Sequence, residues 1–367
     1  MLLHAAGVID GHDVGVGVDS PGWLRIEHDR IAEVGSGARP GPEESLGDVL
    51  LAPGFVDLQI NGIDEIDFAA TDADVIAALE RITDSGCTTC VPTLVTAPIA
   101  AYDAMLDQIA RARVDPNAGD RCTVAGVHLE GPFLGGAPGA HPIELIRPVD
   151  MAALEAWVDR HRDLIRIVTI APEADPEFVA TRWLAARGIV VAVGHTSADY
   201  GTATSMIDAG ATLVTHLFNG MTPFHHRDPG TPGAALRDDR VTASLIVDGV
   251  HVHPAAAAIA AAAKRSVALI TDAVATRGVE VGADGAARLA DGTLAGSTLT
   301  MDAAVRNIVE FGVDVSRAIR MASTIPAAVL GLSDRGVLAP GRRADLVALD
   351  RTTLQVRGVW IAGARVR

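Results

Sequence analysis

Between Leu50 and about Gly331 the chain repeats one rhythm: a short apolar, β-branched run, a polar break, then a stretch with apolar residues three and four apart. The first pattern suits buried parallel strands and the second amphipathic helices. Strands are expected at 50–58, 87–93, 123–129, 165–170, 189–193, 211–215, 241–247 and 267–271, with helices at 73–85, 100–113, 151–161, 177–187, 197–209 and 254–264. Eight strands alternating with helices predict an α/β fold of the (β/α)8, TIM-like barrel type. No G-x-G-x-x-G follows a strand and no G-x-x-x-x-G-K-[ST] occurs, which disfavours an open doubly wound sheet.

The two ends have a different texture. Short alternating runs such as Trp23-Leu24-Arg25-Ile26 and Val359-Trp360-Ile361 are separated by turn signals: Gly11-His12-Asp13, Ser20-Pro21-Gly22, the Gly/Pro-rich stretch 35–42, and Pro340-Gly341. Neither end is long enough for a good core alone. Residues 1–49 and 336–367 are therefore expected to join into one small flanking β-sandwich, leaving 50–335 as the barrel.

The most informative stretch is 190–221. Two apolar runs end in His195 and His216, with a helix between them that opens on a Ser/Asp-rich cap and closes at Gly210. That is a βαβ unit, so both histidines stand at the same end of a parallel sheet. Barrel chemistry gathers at the C-terminal ends of the strands. There the sequence also places Asp57, Gln59 and Asn61, then His128 and Glu130, Asp248 and His251, and Asp272. Glu130, His195 and His216 form the two-histidine, one-carboxylate set of a catalytic divalent-metal site with an open position. Asp272 is then assigned as general base and acid. Gln59 and Asn61 offer only weakly ligating amides, and Lys264, the only lysine, falls at a helix end, so one metal rather than two is expected.

Composition narrows the partners. A net charge of −16 argues against nucleic acid or an anionic membrane surface. No apolar run reaches membrane length, and the N-terminus lacks a basic region followed by an apolar core, so a cytoplasmic protein is expected. Cys87, Cys90 and Cys122 are too few for a disulfide framework, and the C-x-x-C lies in a strand-like run that does not suit redox or zinc chemistry.

These residues carry a resemblance. PGFVDLQING (53–62), GCTTCVPTLVT (86–96), GVHLEGPFL (126–134), GAH (139–141), VGHTSADY (193–200), THLFNGM (215–221), RDPG (227–230), IVDGVHVHP (246–254), LITDAV (269–274) and LAGSTLTMDAAVRN (294–307) recur in order and spacing. With them the chain resembles the N-acetylglucosamine-6-phosphate deacetylases of the amidohydrolase superfamily. The resemblance implies hydrolysis of N-acetyl-D-glucosamine 6-phosphate to glucosamine 6-phosphate and acetate, with one divalent ion per subunit, Zn²⁺ first and Fe²⁺ or Mn²⁺ compatible. It implies Glu130, His195 and His216 as ligands, Asp272 as acid/base, and His251 as a sugar contact that polarises the acetamide. Asn219, Gly220 and Arg227 are implied for the phosphate, Ala140, His141, Leu294, Ala295 and Gly296 for further substrate contacts, and a homodimer in which Arg227 reaches the neighbouring site. The turn Ile63-Asp64-Glu65 replaces a glycine-rich one and places acids near the mouth, while His225 and His226 form an additional pair beside Arg227, read as a solvated lid. The rival readings are a deacetylase for another N-acyl sugar phosphate, such as the galactosamine epimer, and a catalytically inactive homologue.

Overall fold

The computed structural model describes residues 1–12, 20–37, 44–115 and 120–367; Asp13 of the first expected turn and residues 38–42 of the Gly/Pro-rich stretch fall outside them. Parallel strands run in chain order: Phe55–Ile60, Cys87–Val95, Val127–Glu130, Ile165–Ile170, Val190–Val193, Leu213–Val214, Thr242–Leu245 and Val267–Leu269. The first strand lies beside the second, and each later strand pairs with its successor. The ring is drawn shut where the chain leaves the eighth strand. Ile60 bridges Ala273 in parallel, and the Asp272 N–H donates to the Gln59 carbonyl at 2.9 Å. Strands and surrounding helices share one continuous apolar core, in which Val56, Leu58, Val91, Leu129, Val168, Val191, Leu245 and Leu269 of the strands join helix residues such as Leu79 and Ile308.

Helices cover the outside and begin where the sequence supplies caps. Asp74, Asp150 and Asp199 each accept the N–H three residues on, ahead of Val75–Thr83, Met151–Arg160 and Tyr200–Asp208. The Ala-rich helix Pro254–Ala263 buries Ala257, Ala260 and Ala261. The Lys264 that ends it is buried too, its ammonium donating to the Asp238 carbonyl just before the seventh and eighth strands begin, not at the strands' C-terminal ends. After the eighth strand come elements the pattern did not announce: a three-stranded antiparallel flap (Glu280–Val281, Ala286–Arg288, Leu294–Ser297), then helices Met301–Glu310, Val315–Ala322 and Thr324–Val329.

The strand expected at 50–58 is in fact two. Val49–Pro53 pairs antiparallel with Leu346–Asp350 in a flanking five-stranded sheet, and only Phe55–Ile60 belongs to the barrel. A second, four-stranded flanking sheet holds Leu2–Ala5, Gly22–Glu27, Arg30–Ser36 and Glu44–Ser45. Leu3, Leu24, Ile26 and Ile31 of this sheet share a separate small core with Leu51, Leu346 and Trp360 of the other. The expected sandwich built from both chain ends is present.

Candidate active site

Three functional side chains project from residues that leave a barrel strand in a left-handed conformation: His195 (φ 50°), His216 (φ 31°) and Asp272 (φ 47°). Such geometry is costly for a residue with a Cβ and clusters where a side chain must be aimed. The aim here is common to all. His195 Nε2 and His216 Nε2 lie 3.1 and 3.0 Å from Glu130 Oε1 and 3.1 Å from each other. Each Nδ1 faces a carbonyl, His195 that of Ala137 at 3.2 Å and His216 that of Asn219 at 3.0 Å. A carbonyl only accepts, so both Nδ1 atoms carry a hydrogen, and the Nε2 atoms are the ones turned inward toward Glu130. Three buried side chains thus bring one potential ligand atom each to a single point, an arrangement that fits a cation. Glu130, His195 and His216 are the only group among the described residues whose donor atoms gather this closely. Burial opposes ionisation of Glu130, but hydrogen bonds and charge from the two histidines outweigh it and hold its carboxyl well below the usual range.

Asp272 stands beside this cluster. Its Oδ1 accepts from Gln59 Nε2 at 3.0 Å and Asn61 Nδ2 at 2.8 Å, while Gln59 Nε2 also reaches Glu130 Oε1 at 2.9 Å. Among the described residues no hydrogen bond occupies Oδ2. Burial and the nearby Glu130 charge push the Asp272 carboxyl upward, against opposing pull from His216, His251 and Asn61. Gln59 and Asn61, read from sequence only as weak ligands, therefore orient the carboxylate.

A cavity of about 540 Å³ opens above these groups. His251 lines it with its Nδ1 held by Asp248 Oδ2 at 2.6 Å, which leaves Nε2 for a ligand. Asp248 keeps this ring in place, a role the sequence did not reveal. His141 lines the cavity, bonded through Nδ1 to Thr96 Oγ1 at 2.8 Å and edge-on to His195; burial pushes its pKa down to about 3, so it is neutral. Ala140, Asn219, Gly220, Leu294, Ala295 and Gly296 also line it. Gly220 (φ +56°) leaves no room for a side chain: a Cβ there would lie 2.9 Å from His195 Nδ1.

Arg227 is not brought to this cavity. It sits on an exposed loop with Phe224, His225 and His226, whose two rings are 4.3 Å apart. The acidic turn also differs from expectation. Asp64 sends its carboxylate outward to Arg81 Nη1 at 2.6 Å, and it is Asp67 that lines the cavity. An unexpected cation, Arg277 of the flap, lines it as well. The three cysteines are free and buried.

A parallel barrel whose rim gathers two histidines, a glutamate and an oriented aspartate defines the class, a barrel hydrolase built around a candidate metal site. The chain belongs to the amidohydrolase family, whose model matches residues 50–366. It is 39% identical over 361 residues to an N-acetylgalactosamine-6-phosphate deacetylase of Escherichia coli O157:H7, covering 93% of this chain and 95% of that one. It is 40% identical over 374 residues to the N-acetylglucosamine-6-phosphate deacetylase of Bos taurus, covering 94% and 88%. Among solved structures it is similar to a variant N-acetyl-D-glucosamine-6-phosphate deacetylase from Mycobacterium smegmatis in complex with N-acetyl-D-glucosamine-6-phosphate, with TM-score 0.91, 39% identity and coverage of 100% and 99% of the two chains.

Proposed function

We propose that the protein hydrolyses the acetamide of N-acetyl-D-glucosamine 6-phosphate to glucosamine 6-phosphate and acetate. The observation that carries the reading is the convergence of Glu130, His195 and His216 beside an aspartate whose Oδ2 is open to the same cavity. These three residues would hold one divalent ion, most simply Zn²⁺, with Fe²⁺ and Mn²⁺ also suited to the set. When bound, the ion supplies Lewis acidity toward water and the amide carbonyl. Asp272 takes the proton of the attacking water at Oδ2 and passes it to the departing amine nitrogen. Gln59 and Asn61 hold that carboxylate on the axis of transfer by occupying Oδ1. His251, steadied by ionised Asp248, offers Nε2 to the substrate carbonyl or sugar. His141 and Ala140 on one side and the strand 294–297 on the other bound the sugar, with Asn219 and Gly220 toward its phosphate.

The galactosamine epimer is the second reading, favoured by the equally similar relative from Escherichia coli. A homodimer in the cytoplasm completes the proposal. Arg227, exposed and outside its own cavity, is suited to serve a neighbouring copy, and three free cysteines suit a reducing compartment. No helix among the described residues is long and apolar enough to cross a membrane. The test is acetate release from the gluco and galacto 6-phosphates after chelation and metal add-back. Metal-dependent release from the gluco epimer is expected; release from the galacto epimer alone moves the assignment to it, and release from neither refutes it.

A further inference from the structure

The cavity has an electrostatic problem. Asp67, Glu130 and Asp272 all line it, the protein carries a net charge of −16, and yet the substrate proposed above is a phosphate ester. Among the residues lining the cavity Arg277 is the only arginine or lysine. Its guanidinium makes no ion pair or hydrogen bond among the described residues, Asp67 included, whose Oδ1 accepts the Ala69 N–H. Its position is nonetheless built. The preceding Thr276 donates both its N–H (2.5 Å) and its hydroxyl (2.8 Å) to the Asp64 carbonyl. The turn that departs from the glycine-rich pattern therefore fastens the start of the flap, with the Asp64 carboxylate directed away to Arg81.

We propose that Arg277 binds the substrate's 6-phosphate within its own chain and sets the preference for phosphorylated over neutral sugars. A planar guanidinium presents paired donors to a phosphate, and one without a standing partner loses no internal ion pair on binding. The proposal rests on the deacetylase reading for the identity of the sugar but not for the anion site itself.

The experiment compares kcat/KM for N-acetylglucosamine 6-phosphate with that for N-acetylglucosamine in the metal-loaded wild type, Arg277→Ala, Arg277→Lys and Arg227→Ala. In Arg277→Ala the ratio of the two is expected to fall about tenfold or more, chiefly through KM for the phosphate ester, with partial recovery in Arg277→Lys. An unchanged ratio in Arg277→Ala, or a fall seen only in Arg227→Ala, overturns the assignment. If the wild type releases no acetate from either sugar, the deacetylase reading fails, and orthophosphate binding decides the Arg277 question by itself. A Kd about tenfold weaker in Arg277→Ala upholds the site, and equal Kd values overturn it.

Discussion

His195 and His216 turn their Nε2 atoms toward each other at 3.1 Å, each ring locked from behind by a backbone carbonyl. Two ring nitrogens this close to each other and to the Glu130 carboxylate make a donor set for one cation. Replacing one ring removes a third of the donor set, so His216→Ala is expected to reduce bound metal below about a tenth of wild type, with activity down about 10³-fold and no rescue by added metal. Metal analysis of the purified protein checks it alongside the acetate assay. Chelation of the wild type should also lower its Tm, because an ion at a hundredfold excess over Kd stabilises by about 2.7 kcal/mol. A Tm indifferent to chelation would count against the site.

Asp272→Asn keeps the shape and removes the proton acceptor. Its kcat should drop by about 10³-fold while metal content stays at the wild-type level. Asn61→Ala gives a finer test. Asn61 donates to the ionised carboxylate and so holds its pKa down; without it the pKa rises, and less base is present at a given acid pH. The acidic limb of the kcat profile should move toward higher pH, and a limb that stays in place would separate Asp272 from the titrating step.

Gly220 sits against both ligand rings. A methyl group there would be 2.9 Å from His195 Nδ1 and 3.3 Å from His216 Cε1, on a backbone at φ +56°. Gly220→Ala is expected to cost about 1–3 kcal/mol of stability and to weaken metal binding about tenfold. Denaturant titration and chelator competition measure the two effects separately.

Asp57 lies wholly inside the barrel, where burial raises its pKa to about 7 despite hydrogen bonds from the Thr271 hydroxyl and the Gln59 and Thr271 N–H groups. The folded state then binds a proton that the unfolded chain releases near pH 4. Its contribution to stability is complete below that pH and is lost as pH rises through about 7. Asp57→Asn should flatten this decline, which in the wild type is at most about 1.4 kcal/mol per pH unit. Denaturant midpoints from pH 4 to 8 give the comparison, and parallel curves for the two proteins would refute it.

The ligand set was legible because strand ends are legible: an apolar β-branched run followed at once by His or Glu marks both the strand and the side of the sheet on which its chemistry falls. Asp272 was legible for the same reason, since LITD ends a strand. The break at Pro53-Gly54 was not, because the apolar run continues on both sides while the chain passes from the flanking sheet into the barrel. Asp248 was legible as a strand-end acid, but its grip on His251 depends on a side-chain direction that spacing does not encode. Arg277 lies in a polar, glycine-rich segment that resembles a solvent loop. Only the flap's return along Asp272, with the Ser297 N–H on the Asp272 carbonyl at 2.9 Å, folds that segment over the cavity.

The bond from Gln59 Nε2 to Asp272 joins residues 213 positions apart, and it lies on the seam where the first strand meets the end of the eighth. Joining that seam is a very long loop closure, and such contacts form late because their entropy must be met before they return anything. During refolding, helix content and much of the sheet can recover while the base still lacks the amides that aim it. Regain of hydrolysis should therefore lag regain of ellipticity, making catalytic activity the reporter of the last step in assembling this barrel.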